Sequence, residues 1–207
     1  MRPDLAIIAD LVQPGARVLD LGCGDGELLA HLKREKHANG YGLEIDPAMI
    51  TACIEKGVSV IEQDLDHGLA NFSSSSFDLV VMTETLQAVR HPADLLDEML
   101  RIGRECIVTF PNFGHWQCRL YLASRGRMPV ARHLPHMWFD TPNIHLCTFQ
   151  DFERLCRDKG VVIRKRFVVD DAYRSRALMN RFPNLFGTIA FYHLTYERAC
   201  ARGGRSA

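Results

Sequence analysis

Residues 17–29, Arg-Val-Leu-Asp-Leu-Gly-Cys-Gly-Asp-Gly-Glu-Leu-Leu, constrain the fold of this chain more than any other stretch. The apolar run at 18–21 reads as a short buried strand, and a helical pattern begins near residue 25 and runs to about residue 36. Between them, Gly22, Gly24 and Gly26 form a G-x-G-x-G loop. Strand, glycine-rich turn and helix make the geometry of a nucleotide-type site. Glycines allow positive φ and leave no Cβ between backbone and ligand. The helix N-terminus adds unpaired N–H groups. Two phosphate-binding readings fail on the residues. A phosphate loop needs G-K-[ST] at its end, where this chain has Gly26-Glu27-Leu28. A dinucleotide fingerprint wants a third glycine at position 27, held here by Glu27. Asp25 and Glu27 lie where a pyrophosphate would, and Asp20 precedes the glycines. Such acids suit a ligand that is uncharged there or carries a cation.

The flanking chain supplies the rest of a sheet. Residues 3–13 place Leu5, Ile7, Ile8, Leu11 and Val12 at helical spacing, with Pro3 near the start and Pro14-Gly15 as the stop. Asn39-Gly40 reads as the end of the helix after the loop. Residues 41–45 read as a second strand, and Asp46-Pro47 opens a capped helix that Gly57 closes. Further strands are expected at 58–61, 77–82 and 106–110, with a serine-rich loop at 66–76 and a helix from Pro92 to about residue 102. Five apolar strands alternating with helices argue for a doubly wound, Rossmann-like α/β sheet, mostly parallel. A helix at 148–158 with Thr148 as its cap leads to strands at 161–169 and 186–196, expected as an antiparallel pair at the sheet edge. Residues 1–200 read as one domain and 201–207 as a frayed basic tail.

Ligands of such sheets bind at the carboxyl ends of the strands. Glu44 falls 18 residues after Gly26, near the end of the second strand, where a carboxylate can accept both hydroxyls of a ribose. Asp64 falls near the end of the third strand, where it can accept from the exocyclic amine of adenine while the Leu65 N–H serves a ring nitrogen. Asp20 and the glycines complete D-x-G-x-G-x-G, which resembles motif I of class I S-adenosylmethionine (SAM) methyltransferases. The resemblance implies a seven-stranded sheet with an antiparallel terminal strand, and a cofactor set of Asp20, Gly22, Cys23, Gly24, Gly26, Glu44, Ile45, Asp64, Leu65 and Thr83. The ligand is SAM or its demethylated product, S-adenosylhomocysteine. No catalytic residue can be named. Gln87 stands where many small-molecule methyltransferases carry a histidine, and Glu84 reads as a solvated loop glutamate before it reads as a base. His133 and His136 form an H-x-x-H in irregular chain without a third ligand, so no metal is expected.

Net charge is zero, which gives no general case for nucleic acid, but the distribution is uneven. Residues 1–110 hold 9 Lys/Arg and 18 Asp/Glu, a balance of −9, and residues 111–207 hold 16 and 7, a balance of +9. The seven cysteines are scattered without a C-x-x-C, which suggests a reducing cytoplasm. No secretory h-region and no apolar run of membrane-spanning length are visible. Residues 111–149 stand apart: four prolines, both tryptophans, four histidines and four arginines. A helix is expected at 114–124 and then irregular chain to Cys147. This segment reads as an insertion or cap facing a partner or a substrate.

Several stretches resemble the MetW family of methionine biosynthesis. They are the loop from Val18 to Gly26, Glu-Thr-Leu-Gln-Ala from Glu84, Phe-Pro-Asn-Phe-Gly-His-Trp from Phe110, Gly-Arg-Met-Pro-Val from Gly126, and Trp-Phe-Asp-Thr-Pro-Asn-Ile-His-Leu-Cys-Thr from Trp138. The match spans roughly residues 5–170. It implies a SAM-binding accessory protein that partners homoserine O-acyltransferase (MetX type) and supports or regulates it. The alternative is a SAM-dependent methyltransferase acting on a small molecule, with Arg119 or Arg132 holding an acceptor carboxylate.

Overall fold

The structure, a computed structural model, describes residues 2–196. Cys200 and the expected tail at 201–207 lie outside the described residues. Seven strands form one sheet: β1 (Arg17–Leu21), β2 (Asn39–Glu44), β3 (Ser59–Glu62), β4 (Phe77–Thr83), β5 (Gly103–Pro111), β6 (Val161–Val169) and β7 (Ile189–Tyr196). Their order is β3-β2-β1-β4-β5-β7-β6. β1 to β5 pair in parallel, and β7 runs antiparallel to β5 on one side and β6 on the other. The antiparallel pair therefore closes the edge as expected, with β7 inside and β6 outermost. The strand order reverses between β1 and β4, so the loop after β1 sits at the switch point where such sheets bind ligands.

Alternation along the strands makes two cores. Leu19, Leu21, Val80, Met82 and Val108 face α4 (Pro92–Ile102) and α6 (Phe149–Asp158). Val18, Val81, Ile107 and Phe191 face α1 (Pro3–Leu11) and α2 (Glu27–Lys36). Each fully buried Leu contributes about 1.5–3 kcal/mol, so the site rests on packed strands and not on loops alone. Local signals set most of the helix starts. Asp46 Oδ1 accepts from Ala48 N at 2.8 Å to cap α3 (Pro47–Glu55). Thr148 and Asp151 form a reciprocal capping box on α6.

Several boundaries differ from the sequence reading; β5, for one, begins at Gly103, three residues before the expected 106. α2 ends at Lys36 and His37 takes the left-handed position after it (φ 52°), so Asn39 and Gly40 belong to β2, paired with Arg17 and Val18. Gly40 is kept small by the Leu29 side chain, 2.6 Å from where a Cβ would lie. α2 begins at Glu27, two residues late, because Gly24 and Gly26 both hold positive φ. β7 begins at Ile189, since Phe186 ends a short turn, α8 (Pro183–Phe186), that follows α7 (Ala177–Arg181). In 111–149, α5 (Trp116–Arg125) is followed by irregular chain tied back to the body. Phe113 N donates to Cys147 O at 3.1 Å, and Ile144 N and His145 N donate to Gln87 O at 2.9 and 3.0 Å.

Candidate cofactor site

The glycine loop is clamped from three sides. Gly22 N and Cys23 N donate to Leu43 O at 2.9 and 3.1 Å. Gly24 N donates to Glu44 Oε2 at 2.8 Å. Asp25 accepts Glu27 N and pairs with Lys56 at 2.5 Å, so this acid is answered within the protein and is not left for a ligand. Gly22, Gly24 and Gly26 all have positive φ, the region that L side chains rarely adopt. A Cβ on Gly22 would meet Thr85 Oγ1 at 2.6 Å, whereas one on Gly24 would meet nothing. Gly22 is therefore required by packing, and Gly24 leaves open space beside the loop.

Register places the expected polar groups together. Asp20 pairs with Gly42 on β2 and with Val81 on β4. Glu44 and Thr83 each lie two residues beyond those partners, so Asp20, Glu44 and Thr83 project to one face at neighbouring strand ends. Asp20 is 3% exposed and its Oδ1 has no hydrogen-bond partner. Burial, with the nearby Glu44 charge, raises its pKa to about 7. Thr83 Oγ1 is likewise buried and unpartnered. Two orphaned oxygens in one place are costly unless a ligand donates to them.

Glu44 is less free than its position suggests. Oε1 accepts from Ile45 N and Asp46 N at 2.8 and 3.0 Å, and Oε2 accepts from Gly24 N. Counting two lone pairs per oxygen, Oε2 keeps one. Asp64 caps the 3-10 turn Leu65–His67 by accepting from Asp66 N at 2.9 Å, and its other oxygen lies 4.0 Å from His67. Leu65 leans into the core, and Ile45 is 56% exposed beside Glu44. Cys23 is half-buried with its Sγ 3.8 Å from that of Cys53, and Cys53 Sγ donates to Gly24 O at 3.1 Å. Burial keeps the Cys23 thiol protonated, which suits a packing role.

In the loop after β4, the structure gives Glu84 and Gln87 their roles and adds Thr85, which the sequence reading did not single out. Glu84 has φ 55° and donates its N–H to Thr109 O and Oγ1 at 3.0 and 3.1 Å. Loss of water around its carboxyl raises its pKa, with Arg2 pulling the other way and Asp4 adding to the rise. Thr85 fills the space that the missing Gly22 side chain leaves. Gln87 is buried, its amide spanning to Pro111 O and Cys147 Sγ, and thus acts as a brace. Only close packing reveals these roles; no sequence spacing signals them.

The two histidines of H-x-x-H part company: His133 is buried and His136 is exposed. His133 Nδ1 lies 3.5 Å from Asp171 Oδ1, and its Nε2 lies 3.7 Å from Cys118 Sγ. Burial lowers the pKa of His115 to about 4 and lowers that of His133 too. Cys118 is 1% exposed and its thiol is raised by burial, while His133 Nδ1 and Asp171 Oδ1, though close, make no hydrogen bond, so these side chains pack the segment against the body. No group of three potential metal ligands exists among the described residues. Among them, no helix is long and apolar enough to cross a membrane.

A glycine loop at the switch point of a 3-2-1-4-5-7-6 sheet, with acids at successive strand ends, defines the class I methyltransferase fold. Solved structures agree: SAM-dependent methyltransferases from Mesorhizobium loti and Archaeoglobus fulgidus superpose with a TM-score of 0.65 each, at 18% and 17% identity. They cover 93% and 92% of this chain and 97% and 90% of theirs. Within that fold, the model of the methionine biosynthesis protein MetW matches residues 2–194, and the chain belongs to the MetW family. It is 36% identical over 187 residues to the bifunctional methionine biosynthesis protein MetXA/MetW of Rhodopirellula baltica, covering 86% of this chain and 30% of that one. A ubiquinone biosynthesis O-methyltransferase of Hahella chejuensis is 33% identical over 96 residues, 44% of this chain and 40% of its own. The chain thus spans under half the length of these relatives.

Proposed function

We propose that this protein binds SAM, or S-adenosylhomocysteine, and acts as an accessory subunit that supports or regulates homoserine O-acyltransferase through complex formation. The observation that carries the cofactor part is the pair of buried, unpartnered oxygens, Asp20 Oδ1 and Thr83 Oγ1, beside the open space at Gly24. A bound SAM supplies an ammonium and a sulfonium, the charge types that a buried carboxylate favours. Glu44 Oε2 offers its remaining lone pair to a ribose hydroxyl, and the Leu65 N–H and the free Asp64 oxygen serve an adenine edge. The exposed Ile45 offers an apolar surface to the base.

The partner is supported by the Rhodopirellula relative, in which a MetW-like chain is part of one polypeptide with MetXA. Feedback by SAM needs a different SAM affinity in the free and the partnered protein. The 83–87 loop gives a physical route: Thr85 packs on Gly22 of the cofactor loop, and Gln87 O holds Ile144 and His145 of the 111–149 segment. Titration calorimetry with SAM, S-adenosylhomocysteine and NAD tests the cofactor, with micromolar to millimolar binding of the first two expected. Binding of NAD alone would overturn it. Co-purification of the native protein followed by mass spectrometry tests the partner, and recovery without the acyltransferase would overturn that part.

A further inference from the structure

The 111–149 segment carries its apolar side chains outward. α5 buries only Cys118 of its ten residues. Leu120 and Tyr121 on the same helix lie open to solvent. An isolated helix of this length is marginal in water, and most helical stability comes from a covered apolar face. Further along, Asp140 N donates to Met137 O at 3.3 Å and closes a turn whose tip is Trp138 and Phe139. Those two rings are 72% and 67% exposed and stand edge to face, centroids 5.7 Å apart at 89°. The turn is not loose. Its flanks are held by the Ala131–Leu134 bridge and by Ile144 and His145 on Gln87. A presented aromatic pair on a fixed platform is already ordered for binding.

Charge narrows the occupant. Residues 111–149 contain four arginines and one aspartate, with no lysine or glutamate, a balance of +3. Arg125, Arg127 and Arg132 are exposed and make no ion pair among the described residues. A second copy docking through this face would set these arginines against their own kind, because an isologous contact pairs a patch with itself. A small molecule is a poor fit as well, since the cavity beside Trp138, lined also by Phe113, Leu134 and Leu146, is only about 40 Å³, against roughly 300–1,000 Å³ for small-ligand sites. A protein with an apolar cleft rimmed by acids fits both features.

We propose that α5 and the Trp138–Phe139 turn form the face on which the homoserine O-acyltransferase docks, the two rings entering an apolar cleft and the arginines meeting an acidic rim. This rests on the function proposed above, and on the fused relative for the identity of the occupant. The face lies on the segment that the 83–87 loop braces, so an occupied face and the cofactor loop share one support.

The test is titration of the purified acyltransferase with the full chain and three variants, by surface plasmon resonance and circular dichroism. Trp138→Ala/Phe139→Ala is expected to weaken binding at least about tenfold while leaving the fold unchanged, as for truncated interface anchors. Arg132→Glu is expected to slow association and reduce its salt dependence. Ile54→Asp, on exposed α3, is expected to bind as the parent does. A parent that shows no binding overturns the accessory function and this face together. A parent that binds, with the double variant and Arg132→Glu binding equally well, leaves the function standing and overturns the face. A self-association in light scattering that the double variant abolishes assigns the face to a second copy and also overturns the proposal.

Discussion

The loop of residues 20–26 and the turn of residues 137–140 are both glycine-or-turn structures at the same end of the chain's architecture, and they are built in opposite ways. In the first, loop donors are answered within the protein: Gly22 N and Cys23 N by Leu43 O, Gly24 N by Glu44 and Gly26 N by Cys23 O. What it leaves unanswered is buried and polar, Asp20 Oδ1 and Thr83 Oγ1. In the second, the side chains are aromatic and face water. Buried, orphaned oxygens select a small polar ligand, whereas an exposed apolar tip selects a macromolecular surface. The two regions therefore answer to different substitutions.

The largest contrast is expected at Asp20. Its folded pKa, about 7, lies above the unfolded carboxylate value of 3.8. The folded state then holds more protons than the unfolded state between those values, so this group lowers stability as pH rises from about 4 to about 7, and the loss is complete above 7. Asp20→Asn should remove that slope and gain on the order of 4 kcal/mol at pH 8 over the parent, read by urea unfolding across pH. SAM binding should run the other way, strengthening through pH 7 as the carboxylate ionises, and flattening in the variant. Equal slopes in parent and variant would show that Asp20 titrates normally.

Gly22→Val combines a left-handed backbone with the Thr85 contact and should cost about 2–4 kcal/mol of stability, with loss of SAM binding. An unchanged unfolding midpoint would mean that the loop relaxes freely. Strand-end position alone would tie Glu44 only to the ligand, and Glu44→Ala would then spare stability. Because its carboxylate holds three backbone donors, it should also cost about 1.5–3 kcal/mol of stability. Glu44→Gln keeps an acceptor, so a loss of SAM affinity in that variant without a loss of stability would isolate the ribose contact in calorimetry. At the other region, Trp138→Ala should change stability by no more than about 0.5 kcal/mol in thermal unfolding. A larger loss would place that ring in the fold and erase the contrast.

What was legible in the sequence is local. The strand-loop-helix at residues 17–29, the Asp46-Pro47 start, the Thr148 cap and the alternation of strands and helices each depend on neighbours a few residues apart, and the structure has them. The Asn39-Gly40 stop failed because pairing with Arg17 and Val18 outweighs the turn preference of those residues. The same limit applies to Phe186, where a short helical turn displaces the start of a β-branched strand.

The sequence by itself determined the order of the elements, the class of the fold and the acids that the strand ends would carry, because hydrophobic periodicity and glycine chemistry act over short spans of chain. Only the tertiary structure decided which of those acids is buried, which is braced and which is open. Asp20 became a near-neutral titrating group because packed strands strip its water, and Glu44 became a backbone clamp because the loop curls onto it. Trp116 and Trp138 are open to solvent, 41% and 72% exposed, although either could have covered the sheet end, because Gln87 O holds residues 144 and 145 with the aromatic side of the segment turned out. Burial and exposure arise from residues far apart in sequence, and their free energies depend on neighbours that no short stretch contains.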